Sequence, residues 1–173
     1  MGNNEYYNPT DIERVFYEES LQNHPIFIRF FMLYASFNSR ISRDSGKLSD
    51  HDMIRWVKNR TSPYRDRFNY LIENDPDFKS NVELLSHIRV RNIREEKREQ
   101  RVLNAGKQYK PRNKFRMMEN ERDFDTLIDI IYQVRCNLFH GGKNVRLRLE
   151  KYLIELCYNI LNSLYEPMIR NLL

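Results

Sequence analysis

The chain has 173 residues, of which 40% are hydrophobic and 31% are charged, with a net charge of +5. A domain of this length buries a sizeable core, so folding requires neither a structural metal nor a disulfide framework. Five glycines and six prolines are too few for an all-β chain, so we expect residues 1–173 to form one all-α domain, an up-and-down helical bundle with short accessory helices.

Apolar residues at helical spacing predict most elements of the first half of the chain. Ser49 is placed to cap a helix, Pro63 suits a first helical turn, and Asp75–Asp77 has the composition of a turn. The longest pattern is apolar at Ile26, Phe30, Leu33, Phe37 and Ile41. The predicted elements are a loosely ordered segment (1–8) and helices over about 9–19, 25–42, 49–60, 63–72 and 78–88.

Residues 91–120 read as a basic insert, formed by an extension of the preceding helix and then a loop punctuated by Gly106 and Pro111. From Arg89 to Arg116 there are eleven basic and three acidic residues. That segment carries +8, so the rest of the chain is near −3. A basic surface concentrated in one segment is expected for a polyanion-binding protein, and a solvated linker is the alternative.

The C-terminal part has the most regular helical pattern. One helix is apolar at Phe124, Leu127, Ile128, Ile131, Val134 and Leu138. Gly141 and Gly142 should end it, and a last helix should begin near Asn144. The inward face of that last helix is predicted at Leu149, Tyr152, Leu153, Leu156, Ile160 and Leu164. Pro167 should then weaken or end it.

Several classes of protein are disfavoured. The first twenty residues are acidic and lack an apolar centre, and the apolar stretch Pro25–Phe37 is interrupted by Arg29, so we expect a cytoplasmic chain without a membrane partner. Cys136 and Cys157 show no paired spacing, which favours two small buried apolar side chains over a disulfide or zinc site. The remaining histidines, His24, His51 and His87, lie on separate predicted segments. We therefore expect no metal and no cofactor.

Arg135 and His140 are the candidate chemical groups. A histidine titrates near neutral pH and moves protons, while an arginine binds a phosphate and stabilises the charge that develops on it. On an ideal helix, side chains five positions apart diverge by about 140°. The two groups therefore converge only if the helix loosens near His140, where the two glycines follow. Alternatively, Arg135 is a cation near a helix end and His140 an incidental cap.

The segment Arg135-Cys-Asn-Leu-Phe-His140-Gly141 resembles the Arg-x4–6-His signature of the HEPN superfamily. The helix Phe30-Phe-Met-Leu-Tyr-Ala-Ser-Phe37-Asn38 is similar to the aromatic-rich helix ending in Phe-Asn of several bacterial branches. This resemblance implies a helical bundle of HEPN type.

It also implies a metal-independent RNA endonuclease, of the toxin or antiviral-defence kind. By similarity, His140 would assist attack of a ribose 2′-hydroxyl on the adjacent phosphate or protonate the leaving 5′-oxygen, and Arg135 would bind the scissile phosphate. The expected products carry a 2′,3′-cyclic phosphate and a 5′-hydroxyl. Many members are homodimers with a composite active site, and some are restrained by an antitoxin or another regulatory protein.

The chain departs from the family pattern at two positions. Cys136 stands where a polar residue often follows the arginine, and Gly142 replaces a tyrosine that some toxins use as a modification target. Asn137 matches a second family asparagine and would orient His140 or touch the phosphate, or else cap the helix end. Asn38 is a supporting candidate; alternatively, it is a polar residue at the edge of a packed helix.

Three functions follow from these patterns: an RNA endonuclease, a HEPN-like module that binds RNA or a protein without cutting, and a helical interaction module whose motif is accidental. The Cys136 departure favours the second, and the presence of both Arg135 and His140 favours the first. The candidate RNA contacts are Arg89, Arg91, Arg94, Lys107, Lys110, Arg112, Lys114, Arg116 and Lys143.

Overall fold

Helices dominate the computed structural model, which describes residues 9–109, 115–139 and 148–170. They hold 77% of these residues, and the described part contains two strands of two residues each. The predicted all-α class is confirmed. In chain order the elements are α1 (Pro9–Leu21), α2 (Ile26–Ser45), α3 (Asp50–Val57), α4 (Pro63–Asn74), α5 (Pro76–Ser86), β1 (Val90–Arg91), α6 (Ile93–Asn104), β2 (Phe115–Arg116), α7 (Phe124–Phe139) and α8 (Arg148–Arg170).

The core lies mainly between α2 and α8, which pack against each other. α1 and α3 pack on α2, α5 and α4 pack on α8, and α7 contacts both α3 and α8. The stripe predicted for α2 is buried from Phe30 to Ile41, and the stripe predicted for α7 is buried from Phe124 to Val134. Burial of these stripes is the main favourable contribution to folding.

Side-chain caps lie at the starts of four described helices: Ser49 at α3, Ser62 at α4, Asp75 at α5 and Asn92 at α6. The Ser49 hydroxyl accepts a hydrogen bond from the Asp52 amide at 3.2 Å, as predicted for α3. Asp75 caps α5 by accepting from the Phe78 amide at 2.9 Å. Pro63 and Pro76 occupy first-turn positions of α4 and α5, where the missing amide proton has no helical acceptor to lose.

The predicted extension of α5 into the basic segment is wrong. α5 ends at Ser86, and β1 separates it from α6. β1 pairs antiparallel with β2, with Val90 opposite Arg116 and Arg91 opposite Phe115. A new helix begins because Asn92 caps it, accepting from the Glu95 amide at 3.2 Å. The segment between the two strands is therefore attached to the bundle near both ends.

The predicted inward face of α8 is also partly wrong, and of the two outcomes expected at Pro167 the structure excludes the ending of the helix. Leu149 and Tyr152, predicted on the inward face, are 65% and 39% exposed, because the start of α8 extends beyond the core. Pro167 does not end the helix, which continues to Arg170. Proline cannot donate to the Ser163 carbonyl four residues earlier. The Nε of Arg67 lies 3.4 Å from that oxygen and donates to it instead.

A buried polar cluster joins α1, α2 and α8. The carboxylate of Glu13 is fully buried, and it accepts hydrogen bonds from Arg43 at 2.6 Å and from the Tyr165 hydroxyl at 2.9 Å. Arg40 adds an ion pair at 3.5 Å. Ser36 lies 2.8 Å from the Tyr165 hydroxyl and donates to the Glu13 carbonyl. This cluster fixes α1 to the bundle, and the sequence pattern gave no indication of it.

No helix in the described part of the chain is long and apolar enough to cross a membrane.

Candidate nucleic-acid interface

Arg135 lies one turn before the end of α7 and is half-buried. Its Nη1 donates to a carboxylate oxygen of Asp50, at the start of α3, at 3.0 Å. The guanidinium carbon is 4.4 Å from the ring centre of Phe139 and 5.5 Å from that of Tyr34. The ion pair and the two rings hold the guanidinium in one orientation, as a phosphate-binding arginine requires.

His140, Gly141, Gly142 and Lys143 lie outside the described residues, so the convergence of Arg135 and His140 stays a prediction. The helix that carries the motif is described as far as Phe139.

Asn137 is buried, and both ends of its amide are bonded within the chain. Its Nδ2 donates to the Arg91 carbonyl at 2.7 Å, and its Oδ1 accepts from Gln133 at 2.9 Å. The same oxygen lies 3.4 Å from the Ile93 amide, the first of α6. Asn137 therefore attaches α7 to the junction of β1 and α6.

Asn38 lies half-buried on α2, directly after the buried Phe37. Its side chain forms no hydrogen bond with any residue that the structure describes. This position fits the edge of a packed helix, and the supporting role proposed for Asn38 stays a prediction.

A groove of about 1020 Å³ runs beside α6 and α7 and reaches the start of α3. Its floor includes Tyr132, Gln133 and Cys136 of α7. Five cations line it: Arg94, Arg98, Arg101, Lys107 and Arg116. Such a concentration of positive charge in a concave surface attracts a polyanion.

The helical spacing of α6 places three of these cations. Arg94, Arg98 and Arg101 are four and then three residues apart, so they share one face of the helix. Glu95 is the single acid that lines the groove. It is buried and accepts a hydrogen bond from the Tyr109 hydroxyl at 2.7 Å, while Arg98 lies 3.5 Å away. The Glu95 carboxylate therefore interacts with Tyr109 and Arg98. Since five cations and this one acid line the groove, the net charge of its lining is positive.

The groove contains some of the predicted RNA contacts and not others. Arg94, Lys107 and Arg116 line it. Arg89 stacks on Phe115 at 4.5 Å, and Arg91 forms a two-bonded ion pair with Glu96 at 2.7 and 2.9 Å; neither lines the groove. Lys110, Arg112, Lys114 and Lys143 lie outside the described residues.

Arg98 and Arg101 belong to the basic run but are not among the predicted contacts. Their spacing from Arg94 places all three on one helix face, but only if residues 93–104 form a separate helix. His51, which also lines the groove, comes from α3 and could not be placed there from local sequence.

The floor of the groove offers an aromatic surface. Tyr132 is half-buried, and burial raises its pKa to about 12, with the neighbouring Cys136 adding to the shift. The phenol therefore keeps its proton, and its ability to donate a hydrogen bond, to a higher pH than an exposed tyrosine would. Aromatic rings beside cations are the combination that binds single-stranded nucleic acid, because bases stack while phosphates pair.

The cysteines are both free. Cys157 is buried, as predicted, but Cys136 is only half-buried because it faces the groove. Cys136 Sγ lies 3.9 Å from the Nη1 of Arg135. Across the described ranges, no group of three or more histidine, cysteine or acidic side chains is arranged to hold a metal ion.

Comparison with known proteins gave no match: no family model, no curated protein and no solved structure is similar to this chain.

Proposed function

We propose that this protein binds single-stranded RNA in the basic groove and cleaves it with Arg135 and His140, as a metal-independent endoribonuclease of HEPN type. One observation carries the proposal: five cations line a groove whose floor is the face of α7 leading into the Arg135–His140 segment. Cys136 lines the groove and lies 3.9 Å from the Arg135 guanidinium. Arg135 does not itself line the groove, but a phosphate chain that followed the floor past Cys136 would come close to its guanidinium. Such an activity fits a toxin or an antiviral-defence effector.

The proposed reaction is an internal transfer at phosphorus. The ribose 2′-oxygen forms a bond to the adjacent phosphorus, and the bond from phosphorus to the 5′-oxygen breaks. His140 takes the proton of the 2′-hydroxyl or supplies one to the leaving 5′-oxygen. Arg135 stabilises the negative charge on the phosphate oxygens in the transition state. Asn137, fixed by its three partners, acts as a positioning residue for the end of α7.

The second candidate is an RNA-binding module that does not cut. It is favoured by the contacts of Arg135 and Asn137: Asp50 already pairs with the guanidinium, and both ends of the Asn137 amide are engaged within the chain. Incubation with single-stranded RNA in EDTA separates the two functions. Products ending in a 2′,3′-cyclic phosphate support the enzyme, whereas bound but intact RNA supports the module.

RNA binding should weaken steeply with salt. Five phosphate contacts on a single strand correspond to a slope of log affinity against log salt of about −3.5. Replacing Arg98 and Arg101 together by glutamine should reduce the slope by about 1.4. Binding is measured by fluorescence anisotropy with 2′-O-methylated RNA, which lacks the attacking hydroxyl and remains intact.

The matched control replaces Arg14 and Lys79 by glutamine, which removes the same charge from positions that do not line the groove. This variant should bind as the wild type does. A slope near zero for the wild type would mean that the groove does not bind RNA through phosphate contacts. Equal losses of RNA affinity in both double variants would mean the same.

We also propose a homodimer, on the basis of exposed aromatic side chains beside the motif. Phe27, Phe31 and Phe139 are 37%, 39% and 52% exposed, and the rings of Phe31 and Phe139 are 5.0 Å apart. A second copy would cover these rings and bring a second Arg135 near the first. Light scattering should give twice the chain mass, and Phe31→Ala should shift the population towards monomer. A monomer at every concentration would exclude the composite site.

A further inference from the structure

A second concentration of positive charge lies where α3 ends and α4 begins. Arg55, Lys58, Arg60 and Arg65 line a pocket of about 640 Å³, together with Asn59 and the single acid Asp125. None of these residues belongs to the basic segment 89–116, and the proposed reaction does not use them.

The charges of this pocket are only partly neutralised. Arg65 pairs with Asp125 and Lys58 pairs with Asp129. Arg55 and Arg60 are exposed and form no ion pair with any residue in the described ranges. An exposed, unpaired arginine in a concave surface has its guanidinium donors available for a phosphate.

The pocket and the groove are physically connected. The Asp129 carboxylate accepts from Lys58 of the pocket at 2.9 Å and from Arg116 of the groove at 2.8 Å, so these two cations are held on one side chain. His51 of the groove and Arg55 of the pocket are four residues apart on α3, which places them about 6 Å apart along one helix face. The groove and the pocket therefore adjoin each other at Asp129 and along α3.

We infer that the groove and the pocket form one continuous path for a single RNA strand, so that the α3–α4 pocket binds the part of the strand that extends beyond the groove. The inference rests on the proposed RNA binding and extends it. A strand is favoured over a compact anion because the cations are divided between two cavities that adjoin at Asp129, and one small anion would occupy only one of them. Short RNA would occupy the groove alone, and longer RNA would add the contacts of Arg55 and Arg60.

RNA length provides the test. Two 2′-O-methylated oligonucleotides, of about 4 and about 12 nucleotides, span the site sizes usual for single-strand binding surfaces. Replacing Arg55 and Arg60 together by glutamine should lower the salt slope by about 1.4 for the longer RNA and leave the shorter RNA unaffected. The Arg14 and Lys79 double variant should match the wild type with both lengths, and thermal melting confirms that every variant is folded.

The outcomes are distinct. If the wild type binds both lengths with steep salt dependence and the Arg55 and Arg60 variant is unchanged, the path is wrong while the groove stands. If the variant loses affinity for both lengths equally, the pocket is not an extension of the groove. If the variant loses binding to anionic lipid vesicles while its RNA binding is unchanged, the path is wrong and the proposed function stands. If the wild type binds neither RNA, both the path and the proposed function are wrong.

Discussion

Arg135→Ala and His140→Ala should each lower the rate of RNA cleavage about 10²- to 10⁴-fold. His140 is the proposed proton-transfer group; among the described histidines, His24 and His87 do not line the groove, whereas His51 does. Arg135 supplies charge stabilisation, and Arg135→Lys should recover part of the rate because it keeps the charge but loses the planar, two-pronged donor. Cleavage is followed on denaturing gels in EDTA, with the product ends analysed for a 2′,3′-cyclic phosphate.

His24→Ala is the matched control, since His24 is exposed and pairs only with Glu19 near the surface. It should cleave at the wild-type rate. Arg135→Ala leaves Asp50 without its partner, but that carboxylate is one-third exposed, so folding should be retained. Wild-type rates in either the Arg135 or the His140 variant would reject the site assignment, as would a requirement for a divalent metal.

Glu13→Ala should lower the free energy of unfolding by about 3 kcal/mol, because it leaves the polar groups around a fully buried carboxylate without their acceptor. We expect the lower end of the range for broken buried pairs, since Arg40 and Arg43 are 21% and 31% exposed and regain some hydration. For a chain of this size the melting temperature should fall by roughly 6–12 °C. Urea unfolding followed by circular dichroism measures both quantities.

Glu18→Ala provides the control on the same helix. Its carboxylate is half exposed and lies 3.6 Å from Arg14, and a surface pair of this kind contributes under about 1 kcal/mol. Glu13→Gln keeps the size and one acceptor, and should fall between the wild type and Glu13→Ala. Equal stabilities for the Glu13 and Glu18 variants would mean that the buried cluster does not stabilise the packing of α1.

The helices were predictable where local chemistry determines them. α2 and α7 have unbroken apolar stripes, and α3 and α5 begin at side-chain caps that can be read from the sequence. β1 and β2 were not predicted, because two-residue strands leave no alternation to detect. The Glu13 cluster was missed for a different reason: its partners lie on three helices, and Tyr165 is 152 positions away.

The candidate site was predictable only in its local parts. Arg94, Lys107 and Arg116 of the basic run line the groove, and their role as RNA contacts stays a prediction. The contribution of α3 depends on Asp129 holding Lys58 and Arg116 together, a contact between distant segments that one sequence does not reveal. The convergence of the Arg135 and His140 side chains stays a prediction. Apolar periodicity predicts a regular helix, whereas the convergence requires the helical geometry to change near His140.

The hydrogen bonds of Asn137 have a consequence for how a strand would be aligned. They join the helix under the groove to the first residues of the helix beside it, so the opening between the two is set before any ligand arrives. A channel that is already formed loses little binding free energy to ordering its own walls. Asn137 and Arg135 are two residues apart on α7. The part of the groove that Asn137 fixes would therefore determine which phosphate of a bound strand lies beside the Arg135 guanidinium.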